Sequence, residues 1–290
     1  MKTVLTLVAD PANPSSFSSI PAAVKARLQE LALDDIDESW LHDGTAIDFT
    51  FSGSAEISAF EDLLTLCDFC LQPAADRRKK LLLADMDSTI ITVECIDELA
   101  DFAGLKNEVS TITEKAMRGE LDFNDAFKLR VAMLTGLEEA VLAKTFAERV
   151  VLTGGARTLI QTMKKNGAYS ALVSGGFTYF TSRVRTLTGF DMDDANELLF
   201  VDGKLTGKAA EPILNSQAKL DNLNRLMEEL GLKRSQIAAI GDGANDIPMI
   251  EAAGLGVSFH AKPAAEAAAE GNAEAEVTTQ EVQQDEVRSS

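Results

Sequence analysis

LLLADMDST, residues 81–89, is a run of four apolar residues that stops at two carboxylates spaced two positions apart, Asp85 and Asp87. A short strand with no polar alternation belongs in a parallel sheet covered on both faces. Ligands of such sheets bind beyond the carboxyl ends of the strands, which is where Asp85 and Asp87 fall. The same arrangement recurs downstream in YSALVSGG (169–176), QIAAIGD (236–242) and GLGVSFH (254–260), each apolar run separated from the next by helical periodicity. Between about 95 and 150 the pattern is almost wholly helical, in IDELADFAGL, EVSTITEKAM, DAFKLRVAML and EEAVLAKTFAERV. A helical insertion after the first strand would sit over the ligand end of the sheet as a cap.

Residues 1–78 read differently. VLTLVAD, PAAVKARLQELAL, TAIDFTFSG and SAEISAFEDLLTLC suggest strand, helix, strand or hairpin, and helix, in a span suited to a small α+β module. A charged connector, Asp76–Lys80, follows. The expected fold is therefore α/β: a Rossmann-like parallel sheet core over 79–264 with a cap near 95–150, preceded by the N-terminal module. Beyond it, 265–290 form an Ala/Glu-rich tail in which AEVTT has the composition of a short edge strand.

Composition narrows the function. The chain has 290 residues, 27 Lys plus Arg against 46 Asp plus Glu, and a formal charge of -19. That charge repels nucleic acid and anionic lipid, so an anionic ligand would need local cations. No stretch reaches the ~18 apolar residues of a membrane helix, and three cysteines give no disulfide framework. The expectation is a cytoplasmic protein with a small-molecule substrate and neither nucleic acid nor membrane as partner. The N-terminal module is compatible with a homodimer.

Asp85, Asp87 and Thr89 fall at the first, third and fifth positions of a calcium loop, but the required turn glycine would be Ile90 and the closing acid Ile96. A carboxylate can instead attack phosphorus when a cation offsets the repulsion, and the second Asp can serve as acid. Ser174-Gly175-Gly176 precedes a helix and supplies a hydroxyl and backbone amides for an anion. In GDGANDIPM, Asp246 suits an N-cap and Pro248 a first helical turn; Asp242 sits at the strand end facing Asp85. An oxygen-rich cluster of this kind fits Mg²⁺, which takes a few carboxylates plus substrate phosphate. Zinc is disfavoured, because His42 and His260 lie elsewhere and Cys67-x-x-Cys70 has no partner pair. No P-loop occurs, and the single Gly-x-Gly is poor evidence for a dinucleotide.

The order DMDST, SGGF, a downstream Lys219 and GDGAND resembles the haloacid dehalogenase superfamily of phosphohydrolases. VECIDELA, TEKAMRGELDF, FKLRVAML, SGGFTYF, DGKLTG and HAKP extend the likeness, from Leu81 to Pro263, to its phosphoserine phosphatases. That resemblance implies Asp85 as nucleophile toward phosphorus and Asp87 as acid and then base. It implies Mg²⁺ held by the carboxylates of Asp85 and Asp242 and the backbone carbonyl of Asp87, with Asn245 and Asp246 supporting metal and substrate. Ser174, Gly175, Gly176 and Lys219 would hold the phosphoryl group. In the cap, Glu94 would take an ammonium and Arg130 a carboxylate, between Met117 and Phe123. The N-terminal module is loosely similar to the ACT-like regions attached to some of these enzymes. The reaction implied is hydrolysis of O-phospho-L-serine, the last step of serine synthesis. Alternatives are the same chemistry on another small phosphomonoester, or a non-catalytic module binding phosphoamino acid. Taken without the resemblance, Arg130 also reads as a surface cation, and Met117 and Phe123 as cap core.

Overall fold

The structure, a computed structural model, describes residues 1–9, 14–60, 62–63, 67–118, 120–260 and 276–278. It comprises two compact units, one built from Met1–Arg77 with the strand Glu276–Thr278, the other from the described residues between Arg78 and 260.

In the first unit, β1 (Lys2–Ala9), β2 (Asp34–His42), β3 (Ala46–Ser52) and β4 (Cys67–Pro73) form an antiparallel sheet accompanied by α1 (Ile20–Glu30). Leu5, Leu7, Phe49 and Phe51 share a core with Val24 and Leu28 of the helix. Among the described residues of 54–67 the expected second helix is absent. Ile57–Ala59 make one 3-10 turn, and Cys67–Pro73 are strand. The period of two decides this: Cys67, Phe69 and Leu71 turn toward the apolar core while β4 pairs along its length with β1. Cys67 and Cys70, three apart on a strand, consequently occupy opposite faces. Burial pushes the Cys67 thiol up to about 12, so it holds no thiolate for redox chemistry.

The second unit is a parallel sheet covered on both faces. β5 (Leu81–Ala84) is followed by α2 (Cys95–Phe102), α3 (Lys106–Met117), α4 (Phe123–Met133) and α5 (Ala140–Arg149), then by α6 (Ala156–Lys165), β6 (Tyr169–Phe177), α7 (Thr178–Thr188) and β7 (Met192–Asn196). A hairpin of β8 (Leu198–Val201) and β9 (Lys204–Ala209) precedes α8 (Ser216–Glu229), β10 (Ile237–Gly241), α9 (Ile247–Ala252) and β11 (Leu255–Ser258). The strand order is β11-β10-β5-β6-β7, with all neighbours parallel. Leu82, Ala84 and Leu172 join one apolar core and Leu81, Leu83, Ala171 and Val173 the other, so 81–84 and 171–173 are apolar at every position because both faces of the sheet are buried there. A final strand, β12 (Glu276–Thr278), pairs antiparallel with β4 and belongs to the first unit's sheet; 261–264 of the expected core and 265–275 and 279–290 of the expected tail lie outside the described residues.

The four cap helices between β5 and α6 stand where the periodicity put them. The β8–β9 hairpin reaches them: Gly136 N donates to Leu205 O at 2.8 Å and Leu205 N to Leu137 O at 2.9 Å. Asp202-Gly203 at its tip, both with positive φ, is the sequence signal for such a turn.

Candidate active site

Strand register brings the site together. Ala84 pairs with Ile240 on one side and Leu172 on the other, so Asp85 and Asp242, just past the ends of β5 and β10, converge at one edge with Ser174, two residues past Leu172 in β6. Asp85 N donates to Ile240 O at 3.0 Å, carrying the ladder one step past β5 and fixing the first carboxylate.

Lys219 enters from α8 and is fully buried. Its Nζ lies 2.8 Å from Asp85 Oδ1 and 2.6 Å from Asp246 Oδ1. Asn215 aims it by capping α8 through Ala218 N at 3.1 Å. Asp246 occupies the N-cap position of α9, yet its side chain makes no cap bond to that helix. Its Oδ2 turns back to accept from Asp242 N and Gly243 N, both at 3.1 Å. Only glycine at 241 allows this approach, since an added Cβ would collide with the Asp246 carboxylate.

Asp85, Asp242 and Asp246 each offer an oxygen within 4.8 Å of the others, all buried. Asn245 Oδ1 is buried with no hydrogen-bond partner among the described residues. Such a set of hard oxygens fits a magnesium-like divalent cation, and with no His or Cys among those residues it does not fit zinc. Electrostatics agree. Burial and the neighbouring charge of Asp246 push Asp85 well above the usual carboxylate range, against the pull of Lys219. Burial opposes the Lys219 ammonium, but Asp246 and Asp85 overcome it and raise its pKa. Burial likewise pushes Asp87 up to about 6, although Cys95 N donates to its Oδ1 at 3.2 Å. A carboxyl in that range can hold a proton near neutrality and give it away.

Above these groups lies a cavity lined by Asp85, Asp87, Ser174, Gly175, Gly176 and Asn245 from the sheet edge and by Glu94, Phe123 and Arg130 from the cap side. Lys219, Asp242 and Asp246 are beneath rather than on its lining. Ser174 Oγ accepts from Gly176 N at 2.9 Å. A Cβ at Gly175 would come 2.8 Å from Phe123 Cζ, so glycine there is what lets the cap aromatic close on the loop. The Met117 side chain lies outside the described set.

Sequence reading missed several lining or supporting groups. Ile96, Ala116, Phe127 and Phe177 complete the walls. Ser88 donates to Glu94 Oε1 at 2.7 Å, and Arg130 Nη1 donates to Thr113 Oγ1 at 3.0 Å. Hydroxyls in DMDST and on a cap helix carry no distinctive signal, because Ser and Thr are common on solvated faces. The walls were readable only as apolar periodicity.

Residues 82–251 match the family of haloacid dehalogenase-like hydrolases. The chain belongs to that family. Within it, a phosphoserine phosphatase of Haemophilus influenzae is 47% identical over 183 residues, covering 63% of this chain and 58% of the relative. Among solved structures, one described as a phospho-aspartyl intermediate analogue of phosphoserine phosphatase is 39% identical, with TM-score 0.64 over 66% of this chain and 91% of that one. The haloacid dehalogenase family hydrolase t0658 of Salmonella enterica serovar Typhi is 31% identical, with TM-score 0.76 and 90% of both chains covered. The chain spans about three fifths of the length of the first curated relatives it matches. Among the described residues no helix is long and apolar enough to cross a membrane.

Proposed function

We propose that this protein hydrolyses O-phospho-L-serine to L-serine and phosphate. The observation that carries the reading is one cavity lined by Asp85, whose ion-pair partner Lys219 is buried behind it, and by unlike charges, Glu94 and Arg130, on its cap side. An acid suits the substrate ammonium and an Arg fork its carboxylate. The relatives named phosphoserine phosphatase support the same choice.

Asp85 Oδ1 is occupied by Met86 N at 2.8 Å and by Lys219, which leaves Oδ2 to attack. Its lone pair forms a bond to phosphorus while the bond from phosphorus to the seryl oxygen breaks, and that oxygen takes the Asp87 proton. Asp87, now ionised, removes a proton from water; the water oxygen bonds to phosphorus, and the aspartyl-phosphate bond opens to return Asp85 as carboxylate. Ser174, its hydroxyl oriented by the Gly176 amide, the Gly175 amide, Asn245 and Lys219 would hold the phosphoryl oxygens through both displacements. Asp85, Asp242, Asp246 and the Asp87 carbonyl would hold Mg²⁺, which supplies positive charge to the phosphoryl oxygens when bound. The cytoplasm is the compartment this reading implies.

Phosphate release from a panel of small phosphoesters, with Mg²⁺ or excess EDTA, tests substrate and cofactor together. Phosphoserine is expected to lead the panel, and EDTA to silence it. Full activity in EDTA would reject the cation, and a different leading ester would reject the substrate. Arg130→Ala is expected to lower kcat/KM for phosphoserine by about a hundredfold, the loss of a charged hydrogen-bonded pair, and to leave an aryl phosphate nearly unaffected. Equal losses on both esters would place Arg130 outside substrate recognition.

A further inference from the structure

Arg130 is buried, and two of its three guanidinium nitrogens are anchored. Nε donates to Ala126 O of its own helix at 3.2 Å, and Nη1 donates to Thr113 Oγ1 at 3.0 Å across the cap. No bond from Nη2 is found among the described residues, and Arg130 lines the cavity. The second arm of the fork is therefore the one a ligand can take.

Thr113 Oγ1 has one proton and two lone pairs. It lies 2.8 Å from Asp97 Oδ1 and 3.1 Å from Val109 O. The shorter, charged acceptor takes the proton, and the lone pairs then face Arg130. Asp97 is itself fixed, since Ser110 Oγ donates to its Oδ2 at 2.8 Å. Asp97 on α2, Thr113 on α3 and Arg130 on α4 thus form a three-helix relay, with Thr113 buried at its centre.

We propose that Thr113, backed by Asp97, is a positioning residue that sets the Arg130 fork for the substrate carboxylate and so determines specificity for an amino acid phosphoester over the corresponding amine. The inference rests on the phosphoserine reading. A long side chain aimed before binding has less freedom to lose when the ligand arrives, so the relay acts on KM more than on the chemical step. Valine at 113 keeps the shape and removes the oxygen.

The test compares O-phosphoserine with O-phosphoethanolamine, which has the phosphate and ammonium but no carboxylate, on the full chain. Thr113→Val is expected to raise KM for phosphoserine by about tenfold, as loss of one hydrogen bond to a charged group does. Its kcat is expected to change little, and phosphoethanolamine kinetics to stay at the wild-type level. Thr113→Ser is expected to restore wild-type KM, and Asp97→Asn to raise it by about threefold. An unchanged KM in Thr113→Val, an equal loss on both esters, or failure of serine to rescue would overturn the relay. Should Thr113→Val not fold, the KM of Asp97→Asn decides by the same comparison, and an unchanged value there also overturns it. If the wild type does not prefer phosphoserine, or Arg130→Ala keeps that preference, the substrate reading itself fails and takes the relay with it. If the preference needs Arg130 but not Thr113, the relay alone fails.

Discussion

Asp85→Asn is expected to reduce phosphate release by at least about 10⁴-fold, the scale of losing a covalent nucleophile, while the melting temperature measured in EDTA stays level or rises. The two readouts move apart for one reason. Asp85 is buried and crowded by Asp246 and Asp242, and together these outweigh the attraction of Lys219, so its carboxyl is held well above the usual carboxylate range. A raised carboxylate pKa means that the ionised form costs folding free energy at neutral pH. A neutral amide of the same shape removes that cost along with the nucleophile, an exchange of stability for activity seen at strained active sites. Residual turnover within tenfold of wild type would show that another group attacks phosphorus. A clear fall in melting temperature would show instead that the Asp85 charge holds the loop together.

How far the sequence could carry this reading depended on how locally each feature is encoded. LLLA and the IAAIG of QIAAIGD were legible as sheet-centre strands because burial on both faces removes polar residues from every position. Asp85, Asp87, Ser174 and Asp242 were legible as one site because strand ends in a parallel sheet share an edge, whatever the length of chain between them. Lys219 had no such local mark, and only its order among the motifs singled it out before the 2.8 Å contact with Asp85 was seen. The strand Cys67–Pro73 was missed because CDFCLQP follows a run with helical spacing, and pairing with β1 overrode that spacing. The pairing of Glu276–Thr278 with β4 joins residues about two hundred positions apart, and nothing in EVT itself names its partner. Thr113 and Ser88 were invisible for a different reason: their importance lies in which side chain they touch, and neither residue type announces that.

Lys219→Met is the sharpest test of the buried charge network. Methionine fills nearly the same volume, but it leaves Asp85 and Asp246 buried without the ammonium that lies 2.8 Å from one and 2.6 Å from the other. Removing one partner from a buried pair costs about 3–5 kcal/mol, which for a unit of this size lowers the melting temperature by roughly 6–20 °C. Asp246 also holds the Asp242 and Gly243 amides, so its repulsion from Asp85 is expected to loosen the loop that aims Asp242. Turnover should fall by roughly 10³-fold, since a preorganised cation is lost from the phosphoryl site. In EDTA the loss of stability is expected in full, and millimolar Mg²⁺ should recover more of it in the variant than it adds to the wild type. The reason is that an ion bound only by the folded state stabilises that state, and the variant has a larger uncompensated negative charge to attract it. An unchanged melting temperature in EDTA would mean that the three carboxylates hold protons enough to do without Lys219. Equal Mg²⁺ stabilisation of the two proteins would mean that ammonium and metal ion do not share the same acids.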